Sequence, residues 1–328
     1  MSRNSRATGS GSSPASFFSA AATLWLALTL AVMVVAGAAR SEVSTTGAFP
    51  SKNEHVFVPT TFIPDAFVDT ELTFGLGYSN SIATDIPIFT PGGQQIGTVE
   101  GDLLFMTGNV EFNVALRDWI GFSARFNALA RSGSNTATIF ASGLSAGSGF
   151  GLGWEFRLRE TTGSMLSASV SVDRTSVTLI DVAAYLDDPA RGLSTTLTPL
   201  LGSFTARYAY GLNDLVGISA FAAVGVGENP REDYDDSVFW KAGGVVSINL
   251  NATYDAPIGF AAGLQTSSYP LTFENADGNS WAGLFSVSYM GRPDFALTLD
   301  TRYERVPLDF EDVTVGYIGF TFGLTYVF

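Results

Sequence analysis

The chain has 328 residues, no cysteine, one histidine and a formal net charge of −14, with 46% hydrophobic and only 15% charged residues. That acidity excludes a nucleic-acid binder, whose phosphate partners require a basic patch, and the absence of cysteine excludes disulfides and thiolate chemistry. Soluble domains carry roughly 25% charged residues, so the deficit is what a lipid-facing surface would require.

In chain order, the first segment is a leader. Arg3 and Arg6 stand in a Ser/Gly-rich stretch, followed by an apolar run from Phe17 to Val35 and the small residues Ala36-Gly37-Ala38-Ala39. This is the layout of a secretory signal peptide over residues 1–39, cleaved near Ala38 or Ala39. An uncleaved anchor is the alternative, because the run is nearly long enough to span. Removing the leader removes two arginines and makes the mature chain more acidic. No second run of about 18 apolar residues follows, so further helical spans are not expected.

Residues 40–69 form an N-terminal arm, expected on the periplasmic side or inside a lumen as a plug, with Phe57, Phe62 and Phe67 as docking residues. From residue 70 to residue 328 the pattern becomes period-two alternation, which sends alternate side chains to opposite faces of a sheet. The last segment shows it best. Ile318, Phe320, Phe322, Leu324, Tyr326 and Phe328 share one face; Gly319, Thr321, Gly323 and Thr325 share the other. The same reading predicts about twelve strands, near 70–80, 104–117, 120–131, 149–158, 164–173, 203–211, 216–226, 238–253, 258–268, 280–290, 295–305 and 314–328. Most are long enough to cross a bilayer when tilted, whereas strands of globular proteins average about five or six residues.

The connections separate a membrane barrel from a soluble sandwich. Tight turns at Arg117–Trp119, Arg159–Gly163, Leu212–Leu215, Asp255–Pro257 and Gly291–Asp294 alternate with long ones near 81–103, 132–148, 174–202, 227–237, 269–279 and 306–313. Short periplasmic turns alternating with long extracellular loops are the layout of outer-membrane barrels, and an even strand number puts both mature termini in the periplasm. Prolines beyond residue 70 all fall in connections or at strand ends, as a closed ladder requires. Trp240 with Tyr254, Trp281 with Tyr289, and Phe295 with Tyr303 look like members of two interfacial girdles, the fourteen residues from Trp240 to Tyr254 rising about 33 Å when tilted about 45°. The expected fold is all-β: a closed antiparallel transmembrane β-barrel of about twelve strands.

The terminal series Phe322, Leu324, Tyr326 and Phe328 resembles the C-terminal signature of Gram-negative outer-membrane β-barrel proteins, the porin-like class. The resemblance covers the architecture from about 70 to 328 together with the leader, and matches no single functional family. It implies residence in the outer membrane among lipid and lipopolysaccharide. It also implies that these four residues are an insertion signature read by the barrel-assembly machinery.

Catalytic chemistry finds little support. The single histidine, His55, is either a base reaching the lumen or an ordinary polar residue of the arm, and imidazole is the usual general base near neutral pH. Gly143-Leu144-Ser145-Ala146-Gly147 matches G-x-S-x-G formally, but in a small-residue outer loop rather than on a strand-to-helix turn. No metal site and no cofactor are expected, and the chain is read as a non-enzyme. The inward register is more informative. It turns Glu111, Arg125, Glu155, Arg157, Arg207, Lys241, Asp300, Arg302 and Glu304 toward the lumen, since each would cost several kcal/mol facing lipid. These charges either line an aqueous pathway or pair across a narrow lumen as a structural network. Small inward residues such as Gly121, Ser123, Ser167, Gly217 and Gly263 leave room, while Phe105, Leu129, Phe221 and Leu284 hint at a route for hydrophobic molecules. The 174–202 segment either folds over the mouth or extends the strands above the membrane. The reading is a small diffusion channel or facilitator for small solutes, with some anion preference. The alternative is a non-conducting surface barrel acting in adhesion or envelope integrity. Oligomeric state is open.

Overall fold

The computed structural model describes residues 48–82, 86–89, 95–99, 103–132, 143–180, 185, 188–228, 237–268, 279–307 and 314–328. Met1–Arg40 separates as a unit of its own and lies outside the described residues, as does the leader predicted within it. The second unit starts with a minimal hairpin, β1 (Ser51–Lys52) and β2 (His55–Val56). Its two-residue turn, Asn53-Glu54, has φ of 49° and 68°, the left-handed pair that matches the strand twist.

The strands follow in order: β3 (Glu71–Ile82), β4 (Ile86–Phe89), β5 (Gln95–Val99), β6 (Leu103–Arg117), β7 (Ile120–Ser132), β8 (Gly143–Glu160), β9 (Ser164–Ile180), β10 (Ser194–Leu197), β11 (Leu200–Gly211), β12 (Val216–Gly227), β13 (Ser237–Asn249), β14 (Ile258–Ser268), β15 (Asn279–Arg292), β16 (Phe295–Pro307) and β17 (Thr314–Val327). Each of β3, β6–β9 and β11–β17 pairs antiparallel with its neighbours, and β17 returns to β3. Twelve strands therefore close into a barrel, and closure leaves no edge to satisfy. The fold is all-β, as the alternation predicts. β4 and β5 form a separate hairpin between β3 and β6, within the long connection predicted near 81–103.

Alternation sets the two faces. Phe74, Leu76, Met106, Phe126, Phe150, Trp154, Tyr208, Leu264, Trp281, Phe285, Leu299 and Phe322 are all exposed on the outer face. An exposed apolar belt on this scale is a lipid surface rather than a solubility defect. Buried apolar residues are few and lie inside, in small clusters that include residues of the arm.

Three sequence expectations shift. β13 stops at Asn249, not at residue 253, and a one-turn helix α1 (Leu250–Tyr254) takes over. The Asn249 side chain accepts from the Asn251 N–H at 2.9 Å and so caps the helix, a local bond that competes with the ladder. Tyr254 thus leaves the strand and cannot form a girdle pair with Trp240 in register. β8 and β9 run longer than predicted, to residues 143 and 180. The G-x-S-x-G segment is consequently part of β8, bulged between Leu144 and Ala146, rather than an outer loop. The start of the 174–202 segment extends the strands: β10 pairs with the end of β9, and Pro199 marks the break before β11, its carbonyl accepting from the Thr175 N–H at 3.1 Å. Residues 181–184, 186 and 187 lie outside the described residues.

Candidate functional site

Residues 48–70 thread the inner face of the barrel at its tight-turn end. The β1–β2 hairpin bridges several turns: Phe49 N donates to Pro293 O at 2.7 Å, Asn53 N to Thr162 O at 3.0 Å and Asn53 Nδ2 to Gly211 O at 2.6 Å. Lys52 pairs with Glu160. His55 is completely buried, with Nε2 2.8 Å from Ser247 Oγ, Nδ1 3.2 Å from Asp214 O, and its ring edge-on to Phe57 at 4.9 Å. Burial lowers its pKa, against the Asp214 carbonyl and charge that raise it, so the neutral ring is favoured. A Cβ on Gly217 would lie 2.3 Å from the His55 ring. The small residue therefore makes space that the arm occupies, and Gly121 does the same for Val68.

Beyond Val58 the arm rises into the lumen and returns. Ser288 Oγ donates to Pro59 O at 3.3 Å, and Thr61 N donates to Asp300 Oδ2 at 2.8 Å. Phe62 and Ile63 pack on Val245, Ala282 and Leu284. The descending limb buries Ala66 and Phe67 against Met165 and Ala209, and β3 begins at Glu71. Asp65 is exposed to the lumen yet walled by protein. That enclosure, with Asp69 beside it, pushes its carboxyl up to about 7, opposed by the Phe67 N–H and by Arg207. Asp69 is also raised, chiefly by burial and against the pull of Arg157.

The nine charges predicted to line the lumen fall into three groups. Beside the arm, Arg157 Nη1 bonds Glu160 at 2.8 Å, and Asp300 accepts from Thr61 and Ser286, so both serve the arm and its surroundings. Midway, Glu155 and Arg207 form a 2.8 Å ion pair with side chains 6% and 4% exposed. Arg125 faces Glu111 across the β6–β7 ladder and binds Asp173 through Nε at 2.7 Å and Ser171 at 2.9 Å. In the third group, Arg302 Nη2 bonds Glu304 at 2.9 Å, and Lys241 Nζ lies 5.7 Å from the centroid of the Phe221 ring.

Sequence reasoning missed Asp173, whose partner Arg125 lies 48 positions earlier, and the arm acids Asp65 and Asp69. Asp173 sits at the predicted end of a strand, and its inward parity was the available signal.

Parts of the lumen are wet by their chemistry. Arg125 shares the inner face with Gly151 and keeps 44% of its side chain exposed. Among the described residues, Arg207 Nε and Nη2, Arg302 Nε and Asn113 Oδ1 are buried without a protein partner, and polar atoms in that position call for water. A separate apolar dent, lined by Phe74, Leu76, Val110, Phe126 and Phe322 around Gly108, opens on the outer face and belongs to the lipid surface.

A closed ring of twelve strands, apolar outside and charged inside, decides the class. The chain folds as a closed β-barrel with a lipid-type outer face. No family model matches it, and no curated protein does. Among solved structures, the NanC porin is 8% identical with a TM-score of 0.46, the likeness covering 78% of this chain and 100% of that one. The translocator domain of the autotransporter NalP from Neisseria meningitidis is 8% identical with a TM-score of 0.49, covering 80% of this chain and 89% of that one. The P. putida toluene transporter TodX is 13% identical with a TM-score of 0.40, covering 81% and 91%. These likenesses concern barrel architecture and assign neither solute nor partner.

Proposed function

We propose that the protein is an outer-membrane channel for small solutes whose lumen is closed at the periplasmic end by its own N-terminal arm. In this reading residues 1–39 are a cleaved leader, the tight turns and both mature termini are periplasmic, and the long loops meet lipopolysaccharide. The observation that carries it is Arg125: a charged side chain aimed inward yet 44% exposed, in a lumen that the arm enters from the tight-turn end. Exposed inward charge signifies an aqueous space rather than a packed core, and fixed charges along such a space set ion preference. The arm is held by hydrogen bonds and small apolar clusters, individually worth about 0.5–1.5 kcal/mol, so its displacement is accessible without unfolding the barrel.

A disulfide lock tests this directly, because the chain has no cysteine of its own. A Cβ on Gly323 would lie 3.1 Å from Thr61 Cγ2, within the span a disulfide bridges. Mature protein carrying T61C/G323C is reconstituted in a planar bilayer and its single-channel current recorded. The oxidised variant is expected to be silent, while the reduced variant and wild type conduct. Silence in all three, with insertion verified by heat-modifiable gel mobility, would favour the non-conducting surface barrel, as the arm's many anchors would then describe a permanent seal.

A further inference from the structure

We propose that Arg207, Ser167 and Arg157 form a binding site for phosphate groups on the inner wall, in competition with the docked arm. The competition rests on the channel reading, which makes the arm displaceable; the donors of the site do not.

The site is one row of the ladder. Arg157 on β8 faces Ser167 on β9, and Ser167 faces Arg207 on β11, so the three side chains stand side by side on contiguous strands. Each carries a donor that nothing among the described residues answers. Arg207 gives Nη1 to Glu155 at 2.8 Å, which leaves Nε and Nη2, both buried and without a protein partner. Those two nitrogens lie along one edge of the guanidinium, the fork that takes two oxygens of an oxyanion at once. Ser167 is completely buried and its Oγ has no partner. Arg157 has Nη1 on Glu160 at 2.8 Å and Nε buried without an acceptor. A guanidinium only 4% exposed that keeps a whole fork unused is costly unless something accepts from it.

The arm lies along this row without satisfying it. Ala66 and Phe67 pack on Met165 and Ala209, which face each other one inward step from Ser167 and Arg207 toward the tight-turn end. Asp65 precedes Ala66 and is therefore the arm acid next to the row. Its Oδ1 accepts instead from Phe67 N at 3.2 Å. Its carboxyl is pushed up to about 7, chiefly by burial and by Asp69 beside it, with Arg207 only a partial offset, as befits an acid that the fork does not hold.

The donors select the ligand. Water answers them while the site is empty. A carboxylate fills the fork but leaves Ser167 and Arg157 Nε without an acceptor, and chloride has no pair of oxygens for the fork. A phosphate group has oxygens for all of these donors. Its charge also arrives beside Asp65 and Asp69, and like charges at one place disfavour each other. Phosphate binding and arm docking therefore oppose one another, and the opposition is reciprocal.

The test is saturable equilibrium binding to the full mature chain in detergent at pH 7.5. Inorganic phosphate and glycerol phosphate are the probes, with acetate and chloride as comparators. The phosphates are expected to bind at least about tenfold more tightly than acetate, and the tighter of the two tells whether the site takes the free ion or a monoester. R207K keeps the cation beside Glu155 and removes the fork, so it should weaken both phosphates about tenfold or more with heat-modifiable mobility unchanged. S167A, which removes one neutral hydrogen bond, should weaken them about fivefold. The T61C/G323C lock needs no change at the site: its oxidised form should bind phosphate at least about tenfold less tightly than the same protein reduced. Equal binding of phosphate and acetate, full affinity in R207K and S167A, or equal affinity with the arm locked and unlocked would each overturn the proposal. The two readings fail separately. Conductance without saturable phosphate binding removes the site alone, and lock-sensitive phosphate binding in a barrel that stays silent removes the channel alone.

Discussion

Among single residues, the Glu155–Arg207 pair shows how sequence register becomes energetics. Both side chains are almost wholly buried, and Arg207 Nε and Nη2 have no protein acceptor. Breaking a buried pair strands a charge and costs about 3–5 kcal/mol, whereas replacing both partners together costs far less. R207M is therefore expected to lower the urea midpoint and the temperature of the heat-modifiable gel shift markedly, with E155Q/R207M recovering most of the loss. Equal losses in the two variants would mean that the pair is held by water rather than by its partner. The sequence expectation that these residues face inward rests on the high cost of one charge placed in lipid. Their pairing was not legible: Arg207 and Glu155 are 52 positions apart, and parity specifies a face, not a partner.

At the level of elements, the arm is where sequence reasoning ran out. It has no periodicity, and its anchors lie far along the chain, 192 positions for His55 to Ser247 and 239 for Thr61 to Asp300. A small inward residue looks the same whether the space it leaves is empty or filled, and Gly217 and Gly121 proved to be filled. Docking encloses Asp65 in protein and sets Asp69 beside it, with Arg207 as the opposing charge, and so raises the Asp65 carboxyl from the ordinary 3.8 to about 7. The docked arm thus holds a proton that a free arm releases. Docking is fully supported below about pH 4, weakens as pH rises from about 4 to about 7, and is level above that. Open probability in the bilayer should accordingly rise between pH 5 and 7.5, and D65N should flatten the profile. Opening on acidification would contradict this. The strand ends were misjudged for a related reason. Asn249 caps a helical turn and Pro199 interrupts a ladder, and in both cases a local side-chain or ring effect outweighs the alternation around it.

For the whole molecule, closure depends on the last strand finding the first. β17 pairs with β3 over its length, and Phe328 N donates to Thr70 O at 2.9 Å. The Phe328 ring is 57% exposed and edge-on to Tyr326 at 4.8 Å, so it contributes little to the folded barrel. If Phe322, Leu324, Tyr326 and Phe328 are an insertion signature, F328A should refold in detergent with unchanged heat-modifiable mobility. Its accumulation in the outer membrane of a Gram-negative host should nevertheless fall several-fold. Equal accumulation would assign the residue to lipid contact alone.

Composition, period-two alternation and the alternation of short with long connections were enough for the barrel, its strand number and the sidedness of its wall, because a strand's two faces meet different solvents and each residue reports its own face. Only the tertiary structure decided what occupies the lumen. Which charges pair, where the arm sits and which donors remain free depend on contacts between residues far apart in sequence, and a one-dimensional pattern carries no distance across a barrel.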